Sequence, residues 1–140
     1  MQKIIISRKI EFDAAHRVYG HEGKCKYLHG HRYSLEAEFS ATTLDALGRV
    51  IDFSVIKERV GEWINTHWDH NTILWEQDKP LGDDITRHTG KEPYYLKHNP
   101  TAENLALFLK EEIFPALFKN DHICCERVIL HETPNCKVIA

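Results

Sequence analysis

Residues 31–41, HRYSLEAEFSA, alternate apolar and polar side chains with a period of two. Tyr33, Leu35, Ala37 and Phe39 fall on one face of an extended chain, and Arg32, Ser34, Glu36 and Glu38 on the other. A strand patterned this way buries one face and keeps the other polar, which predicts an antiparallel sheet covered on one side. KIIISRKIEFDAAH, residues 3–16, is rich in Ile with partial alternation and predicts a preceding strand. The Gly-, Lys- and His-containing stretch RVYGHEGKCKYLHG lies between them as a loop, so the two strands are expected to pair antiparallel around it.

DFSVIKERVGEWINTHW then changes to helical spacing, with Val55, Ile56, Val60, Trp63, Ile64 and Trp68 on one stripe and Asp52 or Ser54 as the N-cap. Residues 71–99 contain Pro80, Gly82, Gly90 and Pro93 without a sustained period, and read as a long connector. NPTAENLALFLKEEIFPALF predicts a second helix capped by Thr101. Its pattern runs through Leu105, Phe108, Leu109, Glu112 and Ile113, and Pro115 ends or bends it. CCERVILHET and CKVIA close the chain as two strands around a TPN turn. The expected order is ββααββ: an α+β domain over residues 1–140, with a four-stranded antiparallel sheet and two helices on one face. So small a sheet has two open edges, and pairing with other copies in a homo-oligomer is the expected solution.

Composition removes several function classes. A net charge of -3 with no Lys/Arg block leaves no footprint for nucleic acid. No apolar run approaches the roughly 18 residues needed to span a membrane, and the N-terminus has no signal-peptide pattern. The cysteines are Cys25, Cys124, Cys125 and Cys136. Adjacent cysteines are poor partners for each other, and the spacing matches no secreted disulfide framework. A reducing, cytoplasmic compartment is expected, with Cys25 free to act as a thiolate.

The chemistry concentrates in GKCKYLHGH. His29 and His31 are one residue apart at the start of a strand, so their imidazoles share a face about 7 Å apart. His16 ends the preceding strand and an antiparallel pairing brings it to the same place. Three neutral imidazoles leave one tetrahedral position open, the pattern of a catalytic rather than a structural Zn²⁺ site. Cys25 leaves two readings: a fourth ligand closing a structural site, or a base beside the metal whose thiolate is favoured by nearby positive charge. Surface histidines beside a buried cysteine are the bland alternative. Asp69 and His70, in WDHN, suggest a carboxylate-oriented imidazole where the helix ends, against a merely solvated turn. Glu132 at a strand end could accept two N–H groups from a guanidine-like heterocycle edge, against a simple exposed glutamate.

FDAAH, CKYLHGH, DH after the first helix, PTAEN at the second and ETP near the C-terminus occur in this order. Together they resemble the 6-pyruvoyl-tetrahydropterin synthase / 6-carboxytetrahydropterin synthase family over essentially the whole chain. The resemblance implies the tunnelling fold (T-fold), in which a trimer closes a β-barrel and two trimers stack as a hexamer. It implies zinc at His16, His29 and His31, Cys25 as the catalytic thiol, and Asp69 and His70 completing the relay from a neighbouring subunit. Glu132 would anchor the pterin ring through its 2-amino and N3 positions, and Glu103 would lie near the pocket. The implied substrate is 7,8-dihydroneopterin triphosphate. The cysteine placed four residues before HGH resembles the bacterial carboxy-type enzymes of the queuosine route. Those form 6-carboxy-5,6,7,8-tetrahydropterin with loss of acetaldehyde and triphosphate. The sister branch makes 6-pyruvoyl-tetrahydropterin for tetrahydrobiopterin. Lys24, Lys26 and Arg17 are candidates, by charge alone, to steer the triphosphate. A zinc- and pterin-binding module without turnover is the reading of another class; a thiol with an Asp–His pair argues for the enzyme.

Overall fold

The structure, a computed structural model, describes residues 3–140. β1 (Ile5–His16) pairs antiparallel along its whole length with β2 (His29–Ala41), from Ile5 opposite Ser40 to His16 opposite His29. β2 also pairs with the strand Ile123–Thr133, across a bulge between Glu38 and Phe39, and that strand pairs with the last one, Cys136–Ile139. These are the four strands expected, the first two from alternation and the last two from the TPN turn, and all three pairings are antiparallel.

The connector expectation is overturned. Residues 71–99 fold into β3 (Asn71–Trp75), a short 3-10 turn, α2 (Lys79–Thr89) and β4 (Tyr94–Leu96). β3 pairs parallel with the last three residues of β1, and β4 pairs parallel with β3. The C-terminal strands are therefore β5 (Ile123–Thr133) and β6 (Cys136–Ile139). The sheet is six-stranded and mixed, in the order β4-β3-β1-β2-β5-β6, rather than four-stranded and wholly antiparallel. Ile73 and Leu74 are consecutive and both fully buried. A parallel strand covered on both faces shows an apolar run instead of alternation. The apparent helix breakers are in fact the limits of α2. Pro80 sits in its first turn, where a missing N–H costs nothing, and Gly90 caps its C-terminus at φ 79°. Gly82 lies inside the helix because a Cβ there would stand 1.9 Å from the Tyr95 hydroxyl oxygen.

α1 (Phe53–His67) starts where the Asp52 side chain accepts the Ser54 N–H at 2.8 Å. Its buried face, Ile56, Val60 and Ile64, continues into Trp68. α3 (Ala102–Phe108) starts where Thr101 Oγ1 accepts the Asn104 N–H at 3.1 Å. It does not stop at Pro115. It runs through a π-helical segment, Leu109–Ile113, into α4 (Phe114–Leu117). The extra residue of the π turn moves the buried stripe from Leu105 and Leu109 to Phe114 and Phe118, and Glu112 points to solvent instead of continuing the stripe. α1, α3 and α4 cover one sheet face, burying Phe12, Ala14, Tyr33, Leu35, Ala37, Phe39, Val128 and Leu130. The opposite face is polar and tied by ion pairs such as Arg32–Asp13 (2.9 Å) and Arg127–Glu38 (2.8 Å). Among the described residues no helix is long and apolar enough to cross a membrane.

Candidate functional site

Strand register assembles the histidines. His16 ends β1 directly opposite His29, the first residue of β2. The parity that points Ala14 and Tyr33 into the helix-covered core also points His16, His29 and His31 to that side, at the end of the core. One ring nitrogen from each lies within 4.8 Å of the others. Ring centroids are 4.7 Å (His16–His29), 4.8 Å (His29–His31) and 5.1 Å (His16–His31) apart.

The remaining nitrogens fix how the rings point. His16 Nδ1 donates to the Pro100 carbonyl at 2.7 Å, and His29 Nδ1 donates to the Tyr27 carbonyl at 2.6 Å. Each bond leaves Nε2 as the lone-pair nitrogen, the arrangement seen for metal-ligating histidines. The Nε2 atoms of His16 and His31 are buried with no hydrogen-bond partner. Such atoms cost free energy unless something fills the position they face. Burial pushes His16 down to about 4, aided by His29 and His31 and only partly opposed by the Pro100 bond. Burial also lowers His31, against the pull of Glu132. Both rings are therefore neutral near pH 7, the form that binds a metal. The donor set fits one Zn²⁺ held by three imidazoles.

Glu132, near the end of β5, faces the same place. Its carboxylate lies 3.5 Å from His31 Nε2 and 3.9 Å from His16 Nε2, and its side chain is partly exposed. Tyr33 lies beneath with its hydroxyl fully buried; burial and Glu132 both raise its pKa, so it stays protonated. Cys25 sits half-buried in the 3-10 turn Lys24–Lys26, and its sulfur falls outside the compact group formed by the histidine nitrogens. Glu103 is exposed in the first turn of α3.

Asp69 and His70 form a second group. α1 ends as His70 turns left-handed at φ 57° and gives its N–H to the Asp13 carbonyl at 2.6 Å. That turn brings adjacent side chains together: His70 Nδ1 meets Asp69 Oδ2 at 2.8 Å, and Asp69 Oδ1 accepts the Asp13 N–H at 2.9 Å. Burial alone would raise the Asp69 carboxyl, but the Asp13 N–H, His70 and Arg32 outweigh it and hold Asp69 below the usual carboxylate range. Asp13, whose carboxylate joins this group, points to the face of β1 opposite His16. Within one chain the pair and the histidines thus occupy opposite faces of the sheet.

Arg17 is not free for the role that charge suggested. Its guanidinium grips Asp78 with two bonds, Nε to Oδ2 at 2.6 Å and a terminal nitrogen to Oδ1, and Asp78 is 2% exposed. Lys24 and Lys26 are exposed. Sequence reasoning missed Asp78, Asn99, the Pro100 carbonyl and Asp13, which act through backbone or long-range contacts that no local spacing marks.

Residues 5–140 match the family model described as 6-pyruvoyl tetrahydropterin synthase. A protein of Rickettsia bellii, 52% identical over 94% of this chain and 96% of its own length, carries the name 6-carboxy-5,6,7,8-tetrahydropterin synthase. So does a Haemophilus influenzae protein, 32% identical over 92% of both chains. Among solved structures, an uncharacterized protein of Wolinella succinogenes superposes with a TM-score of 0.84 at 19% identity, covering 100% of this chain and 98% of that one. The 6-pyruvoyl tetrahydropterin synthase of Caenorhabditis elegans does so at 0.70 and 22% identity, covering 100% and 96%. At these identities the structural likeness speaks for the fold.

Proposed function

The chain belongs to the 6-pyruvoyl tetrahydropterin synthase family, and from that premise we propose that it is a zinc-dependent 6-carboxy-5,6,7,8-tetrahydropterin synthase. Its substrate is 7,8-dihydroneopterin triphosphate, its products include acetaldehyde and triphosphate, and its place is in queuosine and other 7-deazapurine synthesis. The name shared by relatives up to 52% identical supports the carboxy product. The observation that carries the chemistry is the convergence of His16, His29 and His31 with two buried, unpartnered Nε2 atoms.

Zinc bound by these three side chains would supply Lewis-acid polarisation of the substrate's side-chain oxygens. Glu132, at the rim of the same site, accepts the 2-amino and N3 protons of the pterin and so orients the ring. The Cys25 thiolate takes a proton from the substrate side chain. His70, its Nδ1–H held by Asp69, offers Nε2 as the partner that receives or returns a proton. Because Asp69 and His70 lie on the sheet face opposite the histidines, the pair serves the site of a neighbouring subunit. That requirement supports the T-fold assembly of trimers, paired as a hexamer, from one domain spanning residues 1–140. Glu103, exposed at the start of α3, would approach the pocket in that assembly.

Cys25→Ala tests the assignment. It should keep its zinc and its fold while turnover of 7,8-dihydroneopterin triphosphate disappears. Loss of zinc in this variant would instead make Cys25 a fourth, structural ligand.

A further inference from the structure

The turn before α3 reaches in two directions. Its Pro100 carbonyl holds His16 Nδ1 at 2.7 Å. One residue earlier, the Asn99 side chain closes a reciprocal pair on the main chain of Tyr19. Asn99 Oδ1 accepts the Tyr19 N–H at 2.9 Å, and Asn99 Nδ2 donates to the Tyr19 carbonyl at 3.0 Å. Tyr19 belongs to the loop between β1 and β2 that carries Cys25. The preceding residue, Val18, donates its N–H to the Cys25 carbonyl at 2.8 Å. Asn99 is itself held from behind: its carbonyl accepts the Thr101 N–H at 2.8 Å and Asn104 Nδ2 at 2.9 Å. The loop is pinned a second time at Arg17, whose guanidinium is gripped by buried Asp78 and lies 5.3 Å from the Tyr19 ring centre.

We infer that Asn99 is a positioning residue that fixes the Cys25 loop relative to the histidine centre. The same turn orients a metal-binding ring through Pro100 and the thiol-bearing loop through Asn99, so the two are held in one frame. The asparagine amide suits the task because it presents a donor and an acceptor side by side, matching the N–H and C=O of one residue, Tyr19. Aspartate keeps only the acceptor and alanine keeps neither. The inference rests on the reading of Cys25 as the reacting thiol. A thiol that swings by about an ångström from its reacting geometry loses on the order of 100-fold in rate. Substrate binding through Glu132 does not depend on this loop, so the loss should fall on kcat rather than KM.

The test compares wild type, Asn99→Ala and Asn99→Asp in zinc content, steady-state kinetics with 7,8-dihydroneopterin triphosphate, and hydrogen exchange of the segment 17–28. Asn99→Ala should keep its zinc, lose roughly 10- to 100-fold in kcat with KM within about threefold, and exchange faster in 17–28. Asn99→Asp should lie between it and wild type, and serves alone if the alanine variant does not fold. An active wild type with undiminished kcat in the variants would overturn the inference while leaving the proposed function intact. Loss of zinc in the variants would overturn it too, because Asn99 would then support the metal centre and not the thiol. An inactive, zinc-loaded wild type would refute the proposed function itself, and with it any positioning role.

Discussion

Metal-free protein should lose stability in acid chiefly through His16. Burial holds that ring down to about 4 in the folded chain, whereas an unfolded imidazole titrates near 6.5. Between those values the unfolded chain binds a proton that the folded chain does not, so stability falls as pH falls through this window. The contribution is complete above pH 6.5 and gone below the folded value. The loss accumulated by pH 4 is about 3 kcal/mol, from the interval between the two titrations. For a chain of this size that shifts a urea midpoint by roughly 1.5–2 M. Burial acts on His31 in the same direction. The assay is urea unfolding with chelator present, at pH 7.5 and pH 4 and one fixed protein concentration. His16→Asn is the reference: its amide can still donate to the Pro100 carbonyl but does not titrate. Wild type should lose about 3 kcal/mol more than His16→Asn over this interval. Parallel losses in the two proteins would show that His16 is not buried neutral, and would remove the electrostatic case for a preformed metal centre.

Other perturbations probe the parts that hold the site. Arg17→Ala strands the Asp78 carboxylate, 2% exposed, without its partner, and should cost on the order of 3–5 kcal/mol in denaturant unfolding; an effect below about 1 kcal/mol would contradict the buried clamp. Gly82→Ala drives a Cβ to 1.9 Å from the Tyr95 hydroxyl oxygen and should cost about 1–3 kcal/mol, partly recovered by adding Tyr95→Phe. No recovery in the double variant would mean that the clash is not with that hydroxyl. Thr101→Ala removes the cap of α3 and should lower stability by about 1 kcal/mol in the same assay.

Alternation made β1 and β2 legible, most cleanly in the sequence from Tyr33 to Phe39, and the TPN turn marked the C-terminal pair, although β5 buries Val128, Ile129 and Leu130 in succession. The 3.6-residue stripe of α1 was equally plain. β3 was hidden because Ile73 and Leu74 face opposite sides and are both buried, which erases the period. α2 was hidden by Pro80, Gly82 and Gly90, which are helix boundary, packing contact and cap respectively. In α3 a single inserted residue, the π turn, shifted Glu112 off the buried face. At the site, the histidines were readable from strand parity alone. The supports were not. Asn99 and Pro100 reach back across eighty positions or more, and Asp78 is held by Arg17, which charge alone had made only one of three candidates to steer the triphosphate. The meeting of Asp69 with His70 required the left-handed turn at residue 70, a conformation that a histidine does not announce.

The identity of the product decides which reaction this chain catalyses. Zinc-quantified wild-type protein is incubated with 7,8-dihydroneopterin triphosphate and the products are read by mass spectrometry beside zinc-loaded Cys25→Ala. Wild type should give 6-carboxy-5,6,7,8-tetrahydropterin with acetaldehyde and triphosphate, and the variant no product. A 6-pyruvoyl product would contradict the proposed branch. Bound pterin and bound zinc without turnover would contradict the enzyme.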